Sequence, residues 1–332
     1  MYPNPQDVLP LPPHPDLDQY RRRARELVRA CRSGDDAIRS WATGWVDRLI
    51  ELHAAATGSA PRDAERRAHQ IADFARERLT QSDCALAQAQ FVIARAHGFP
   101  SWPRLVHHIA AISGQDADRS AFEAAADAIV TGDLAGLERL LRAHPGLVHA
   151  RSDREHRATL LHYVSANGVE NYRQKTPANI VAIARVLLDA GAEVDAEADV
   201  YGGGATTLGL VVTSAHPRLA GVQNELADLL LERGARVDEG IVHACLMNGC
   251  PEAGAHMAAR GASIGLEEAA GIGRLDLLAR LFESARTVST ADAAAALIMA
   301  SWYDRRDVVS FLLDHGVDVG TRAPKDGDTA LH

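Results

Sequence analysis

One ten-residue pattern recurs along the chain at a nearly constant spacing, and it restricts the fold more than any bulk property does. Its fullest copy is Thr159-Leu160-Leu161-His162-Tyr163-Val164-Ser165-Ala166-Asn167-Gly168. A threonine hydroxyl can cap a helix, Leu161 and Val164 share a face, and Asn167-Gly168 suits the left-handed turn that closes a helix. His162 is placed to hydrogen-bond loop backbone of its own unit or the next. The pattern returns at Thr206–Val211, at Gly240–Gly249 with His243 in the histidine slot, at Leu266–Gly273, around Leu297–Asp304 and at Asp328–His332. A second pattern alternates with it. Val186–Asp195, Leu229–Asp238 and Phe311–Val319 each join an apolar triplet to a helix-ending glycine and an extended tail. A weaker copy of the whole unit spans Phe122–Val148, with Gly132 at its turn and Leu137, Leu140 and Leu141 in its second helix. Each unit is a pair of helices that cannot bury its apolar face alone and must stack on a neighbour.

The T-x-L-H opening, the helix pair and a period near 33 residues resemble the ankyrin repeat. The resemblance implies an all-α solenoid with short β-hairpin turns, about six repeats over 119–332, and a truncated stump at 326–332. The stump lacks the rest of its unit, so the expectation is a truncated chain whose last repeat frays.

Ahead of the repeats, residues 1–15 carry six prolines and predict an extended, partly mobile tail lying on the first helix. Residues 16–113 predict an N-terminal helical domain. Leu17, Tyr20, Ala24, Leu27, Val28 and Cys31 share one face, and Ser33-Gly34-Asp35 ends that helix. A second helix uses Ile38, Trp41, Trp45, Leu49 and Leu52 and stops at Thr57–Pro61. A third runs from about Arg62 to Leu79, and a fourth, capped by Ser82 or Asp83, spans Leu86–Gly98. Phe99-Pro100-Ser101-Trp102-Pro103 follows, with Ser101 as the cap of a fifth helix. This helix–Gly-Phe-x-Ser-Trp segment is similar to one that precedes the repeats in bacterial ankyrin repeat proteins, and it implies a cap on the first repeat but no activity. Gly114–Asp118 marks the boundary.

Two insertions depart from the repeat pattern, residues 169–179 and 216–222, both at the turn between paired helices. Pro177 and Pro217 stiffen them. Long loops on a rigid scaffold are where function concentrates. Together with Tyr163, Asn167 and the glycine-rich hairpin at Tyr201, they supply the candidate binding residues: Asn171, Tyr172, Arg173, Gln174, His216 and Gln223. Tyr172 is the expected anchor, and the two insertions are expected to pack into one wall of the site.

Across 332 residues, a net charge of −9 argues against a nucleic-acid partner, and the arginines of the first helix read as a solvated face. Cys31, Cys84, Cys245 and Cys250 show no disulfide framework. Cys245 and Cys250 read as small packing residues. There is no run long enough to span a membrane, no signal peptide, no P-loop, no H-E-x-x-H and no C-x-x-C. The expectation is a cytoplasmic monomer that binds a protein partner on the concave face of the repeats. It needs no cofactor or metal, and no catalytic arrangement is forced by the sequence. The second reading is a small-molecule or peptide pocket, possible also as a catalytic site, beneath the insertions of the second and third repeats.

Overall fold

The computed structural model describes residues 3–12, 15–57, 63–79, 84–112, 117–284, 288–322 and 329–331. The expected helix stop at 58–61, the caps at Ser82 and Asp83, the start of the boundary at 114–116 and most of the C-terminal stump lie outside them. The chain forms two compact units, Met1–Thr207 and Leu208–His332.

The first unit opens with five helices: α1 (Leu17–Ser33), α2 (Asp35–Thr57), α3 (Ala64–Arg78), α4 (Leu86–Ala96) and α5 (Trp102–Ala110). Asp16 caps α1 by accepting the Asp18 N–H at 2.9 Å. The stripe predicted for α1 is the buried one, with Tyr20, Ala24, Leu27 and Cys31 inside a core that also holds Trp45, Ile71, Ile93 and Phe99. Ser101 precedes α5 but its side chain makes no cap bond; Pro103 in the first turn sets the start instead.

Two expectations about this region are corrected. The described part of the proline-rich tail, residues 3–12, is not simply extended but makes a short turn and bonds to α3 and α4, while Leu9 joins the core that buries the α1 stripe. Pro5–Asp7 form a short 3-10 turn, and Val8 and Leu9 are buried. Leu9 N–H donates to the Ala96 carbonyl at 2.8 Å, Arg67 donates to the Val8 carbonyl, and Arg66 pairs with the buried Asp7 at 2.6 Å. Prolines cannot join a ladder, so the tail is held by side-chain donors that reach its carbonyls. The second correction is a disulfide, Cys31–Cys84, between cysteines 53 positions apart. The α1 stripe that buries Cys31 turns it toward the start of α4. Cys245 and Cys250 are buried thiols, as expected of packing residues.

Two repeats complete the unit. The first pairs α6 (Ala117–Thr131) with α7 (Leu134–Ala143), where Asp133 caps α7 through the Gly136 N–H at 2.9 Å. The second pairs a 3-10 turn, Leu160–Ser165, with α8 (Ile180–Asp189). The predicted α-helix at 159–168 is thus shortened to a buried 3-10 turn that closes through Ala166 and Gly168, both at positive φ. A two-residue hairpin, β1 (Glu197–Ala198) against antiparallel β2 (Ala205–Thr206), leads onward, with Glu197 opposite Thr206.

The second unit continues the pattern with α9 (Thr207–Val212), α10 (Ala215–Leu219) and α11 (Gln223–Glu232), then α12 (Ile241–Met247) with α13 (Pro251–Ala259), α14 (Leu266–Gly271) with α15 (Leu275–Ser284), and α16 (Thr290–Trp302) with α17 (Arg306–Asp314). The second helices close alike. Ala235 N–H reaches Leu230 O at 3.0 Å and Val317 N–H reaches Leu312 O at 3.1 Å, just as Ala192 reaches Leu187 in the first unit. Between paired helices, Gly249 and Gly273 take positive φ, and Asp304 fills the same slot at φ 51°. The fold is all-α apart from its hairpins, and its units have the helix–turn–helix–hairpin form of ankyrin repeats.

Candidate functional site

The hairpin between the first two repeats reads Arg151-Ser152-Asp153-Arg154-Glu155-His156-Arg157, five acids and bases in seven residues besides a histidine. Between two apolar helix pairs such a run is normally solvated. Here it is folded inward. Arg154 is 2% exposed, and its Nη1 lies 2.8 Å from Glu123 of α6 and 2.9 Å from Glu170, itself sealed from solvent. Arg173, also buried, reaches Glu123 at 2.9 Å, Glu170 at 3.3 Å and Asp127 at 2.8 Å. Tyr172 accepts a hydrogen bond from Arg154 Nη2 at 3.1 Å, and Tyr163 donates to Glu170 at 3.4 Å. Burial alone would raise the Glu123 carboxyl, but Arg154 and Arg173 outweigh it and hold it at about 2. Burial likewise opposes ionisation of Glu170, and the same two guanidinium groups keep it well below the usual carboxylate range.

The first insertion supplies half of this network. Glu170, Tyr172 and Arg173 belong to it, and its far end is tied down as well, since Asn179 Nδ2 donates to the Gly132 carbonyl at 2.9 Å. Gly132 is at φ 81°, and a Cβ there would meet Asn179 Oδ1 at 2.8 Å, so the turn of the first repeat needs glycine on both counts. The insertion also contacts the helical domain, with the Tyr172 ring edge-on to His53 of α2, the centroids 5.6 Å apart. It therefore lies across α6 and joins the helical domain to both repeats.

Two clefts flank the network. One, of about 640 Å³, is lined by Pro3, Val8, Arg95, Glu155, His156 and the hairpin tip at Tyr201. Arg95 and Glu155 form an ion pair on its wall. The other, of about 680 Å³, lies between α5, α6 and the charged hairpin, and His108, Glu123 and Asp153 line it along with four arginines. His108 Nδ1 stands 3.4 Å from Asp153, which Arg119 also holds at 3.0 Å.

The candidate residues fall into distinct settings. Tyr163, Arg173 and Gln223 are buried with internal partners; Gln223 Nε2 donates to the Val211, Val212 and Ser214 carbonyls. Tyr172 is half-buried in the network. Gln174 Nε2 donates to the Val169 carbonyl at 2.8 Å, and Asn171 begins the short turn beside it. Tyr201, 58% exposed, donates to Asn167 Oδ1 at 2.8 Å. His216 is exposed in the second unit. The hydroxyls of Tyr172 and Tyr201 thus each have a separate partner.

The two slot histidines diverge. His162 Nδ1 accepts from the Thr159 N–H at 3.1 Å and lies 2.8 Å from the Thr159 hydroxyl, while Nε2 lies 3.3 Å from the Ala205 carbonyl of the next hairpin. These contacts fix the Nε2–H tautomer and meet the expectation of backbone bonding across repeats. Burial pushes its pKa down to about 4. At His243 the threonine is replaced by Gly240, and the ring turns instead to Glu267 and Glu268, 3.7 and 3.5 Å away. This trio is close enough to share an ion, the single such group among the described residues.

Sequence reading missed Glu123, Arg154, His108 and Asp153. The dense charge of residues 151–157 was the available signal.

Fold and site together define an all-α repeat protein with a helical domain fused to its first repeats. The structure is similar to the human ASB11 ankyrin repeat domain, at 23% identity, covering 62% of this chain and 89% of that one, with a TM-score of 0.41. No family model and no curated protein matches the chain. The recognition of ankyrin-like units rests on the chain's own repeated helix closures and on the His162 bond to the next hairpin. No helix among the described residues is long and apolar enough to cross a membrane.

Proposed function

We propose that the chain is a protein-recognition module whose main contact surface runs along the first helices of the repeats in the second unit. The observation that carries this is the exposure of Trp302, at 49%, and Met247, at 52%. Tryptophan and methionine are enriched at protein interfaces, and a few such side chains supply most of the binding energy.

Their placement supports the reading. Met247 ends α12 and Trp302 ends α16, with α14 between them. The Tyr303 hydroxyl donates to the Leu246 carbonyl, which draws the two helix ends together. Gly271 permits the approach, since a Cβ there would lie 2.6 Å from Met299 Cγ and 2.7 Å from Leu246 Cδ1. The anchors therefore sit on a fixed frame, which lowers the ordering cost of binding. Among the candidate residues of the second unit, His216 is exposed and can serve as a polar contact.

The test is capture of a protein partner by the full chain and by Trp302→Ala. The variant removes an exposed side chain, so its thermal midpoint should match that of the parent. A partner retained at undiminished affinity would remove the basis of the proposal.

A further inference from the structure

We infer that the cleft between α5, α6 and the charged hairpin binds a small organic polyanion carrying two or three carboxylate or phosphate groups. This does not rest on the protein-recognition surface, which lies on other helices.

The argument begins with charge matching around the cleft. Its acids are all engaged: Asp118 with His144 at 2.7 Å, Asp153 with Arg119 at 3.0 Å and with His108, and Glu123 with Arg154 and Arg173. Three of its lining arginines, Arg104, Arg151 and Arg157, form no ion pair within 4 Å among the described residues, although Arg104 is near enough to help lower the Asp153 carboxyl. Arg151 donates to the Arg157 and Glu197 carbonyls, at 3.0 and 2.6 Å, and Arg157 donates to the Ser152 carbonyl at 2.9 Å. Those bonds orient the guanidinium groups without neutralising them. Three positive charges thus converge on one concavity of a chain whose net charge is −9.

A second observation is independent of this count. His108 lines the cleft but is only 2% exposed, and its Nε2, sealed from solvent 3.9 Å from the Glu123 carboxylate, has no hydrogen-bond partner. A buried ring nitrogen left open is costly unless something from the cleft reaches it. Its Nδ1 faces the Asp153 carboxylate and so carries the ring proton, which leaves Nε2 as an acceptor for a ligand hydroxyl. The volume, about 680 Å³, falls in the range of small-molecule sites. Guanidinium pairs carboxylate and phosphate alike through paired N–H donors, so the anion's charge and size are specified before its chemistry.

The experiment is titration calorimetry on the full chain with citrate and with pyrophosphate, at constant ionic strength and with chloride as the background anion. One-to-one saturation by either is expected. Stronger binding of citrate assigns a carboxylate ligand; stronger binding of pyrophosphate assigns a phosphoryl one. Arg104→Glu alters an exposed side chain and should weaken binding about tenfold or more, the scale of a lost charge-assisted contact. His108→Phe, which fills the same space without a ring nitrogen, should weaken it too. Arg185→Glu, an exposed arginine on α8 outside the cleft lining, should leave it unchanged. Failure of both probes to saturate, or equal losses with Arg104→Glu and Arg185→Glu, would overturn the inference.

Discussion

Arg154 Nη1 lies 2.9 Å from Glu170 Oε1, with both side chains sealed from water. One comes from a hairpin and the other from an insertion, and Glu123 of α6 and Arg173 complete the square. A buried pair of this kind is a weak source of net stability, because desolvation offsets most of the attraction, but losing one partner leaves an uncompensated charge.

Glu170→Ala should therefore destabilise the first unit by roughly 3–5 kcal/mol. Tyr172→Phe, which removes only the hydroxyl that accepts from Arg154, should cost about 1 kcal/mol. Chemical denaturation followed by tryptophan fluorescence reads both, since Trp41, Trp45 and Trp102 belong to the helical domain. Equal, small effects would mean that the network is solvated in solution.

Acid should destabilise the protein in stages. His162 and His97 titrate at about 4 and about 3 in the folded chain, lowered from 6.5 mainly by burial, while their backbone carbonyl partners oppose the shift. Glu123 titrates at about 2 instead of 4.5. Below each ordinary value the unfolded chain binds more protons than the folded one, so stability falls with falling pH. The histidine contribution is complete above pH 6.5 and fades from there down to about 3. That of Glu123 is complete above 4.5 and fades toward 2. Nitrogen-detected NMR should show His162 still neutral, with its proton on Nε2, at pH 5. A protonated His162 at that pH would contradict the burial that the fold assigns it.

Much of this architecture is legible in the sequence, and the parts that are not share a cause. Repeated apolar triplets, closing glycines and the His162 slot are local patterns with local physics, and they identify the repeats, the helical domain and the cross-repeat hydrogen bond. The role of the insertion is not local. Glu123, Arg154, Glu170 and Arg173 stand as many as 50 positions apart, and each one alone looks like a solvated surface charge. Only closure of the tertiary structure makes them neighbours. The same holds for Cys31 and Cys84, and for the proline-rich tail, whose carbonyl partners Arg67 and Ala96–His97 lie far along the chain. Arg173 and Gln223 read as exposed polar residues at the insertions, but one ends a short 3-10 turn and the other begins α11, and their hydrogen bonds point inward.

Reduction of Cys31–Cys84 should lower stability by about 2–4 kcal/mol, the scale expected from releasing a loop of 53 positions. Thermal unfolding with and without a phosphine reductant measures it, and Cys31→Ser serves as the check. Cys245 should resist alkylation in the folded protein, since burial pushes its thiol up to about 12. An unchanged midpoint on reduction would show that the helical domain does not depend on the cross-link.

The most direct test of the recognition account is amide hydrogen exchange on the full chain, alone and with its captured protein partner. The account predicts new protection at residues 241–248 and 297–304, around Met247 and Trp302, with residues 169–179 already slow in the unbound chain because the insertion is locked into the buried charge network. Protection that appears on binding at 169–179 and leaves 241–248 and 297–304 unchanged would contradict it.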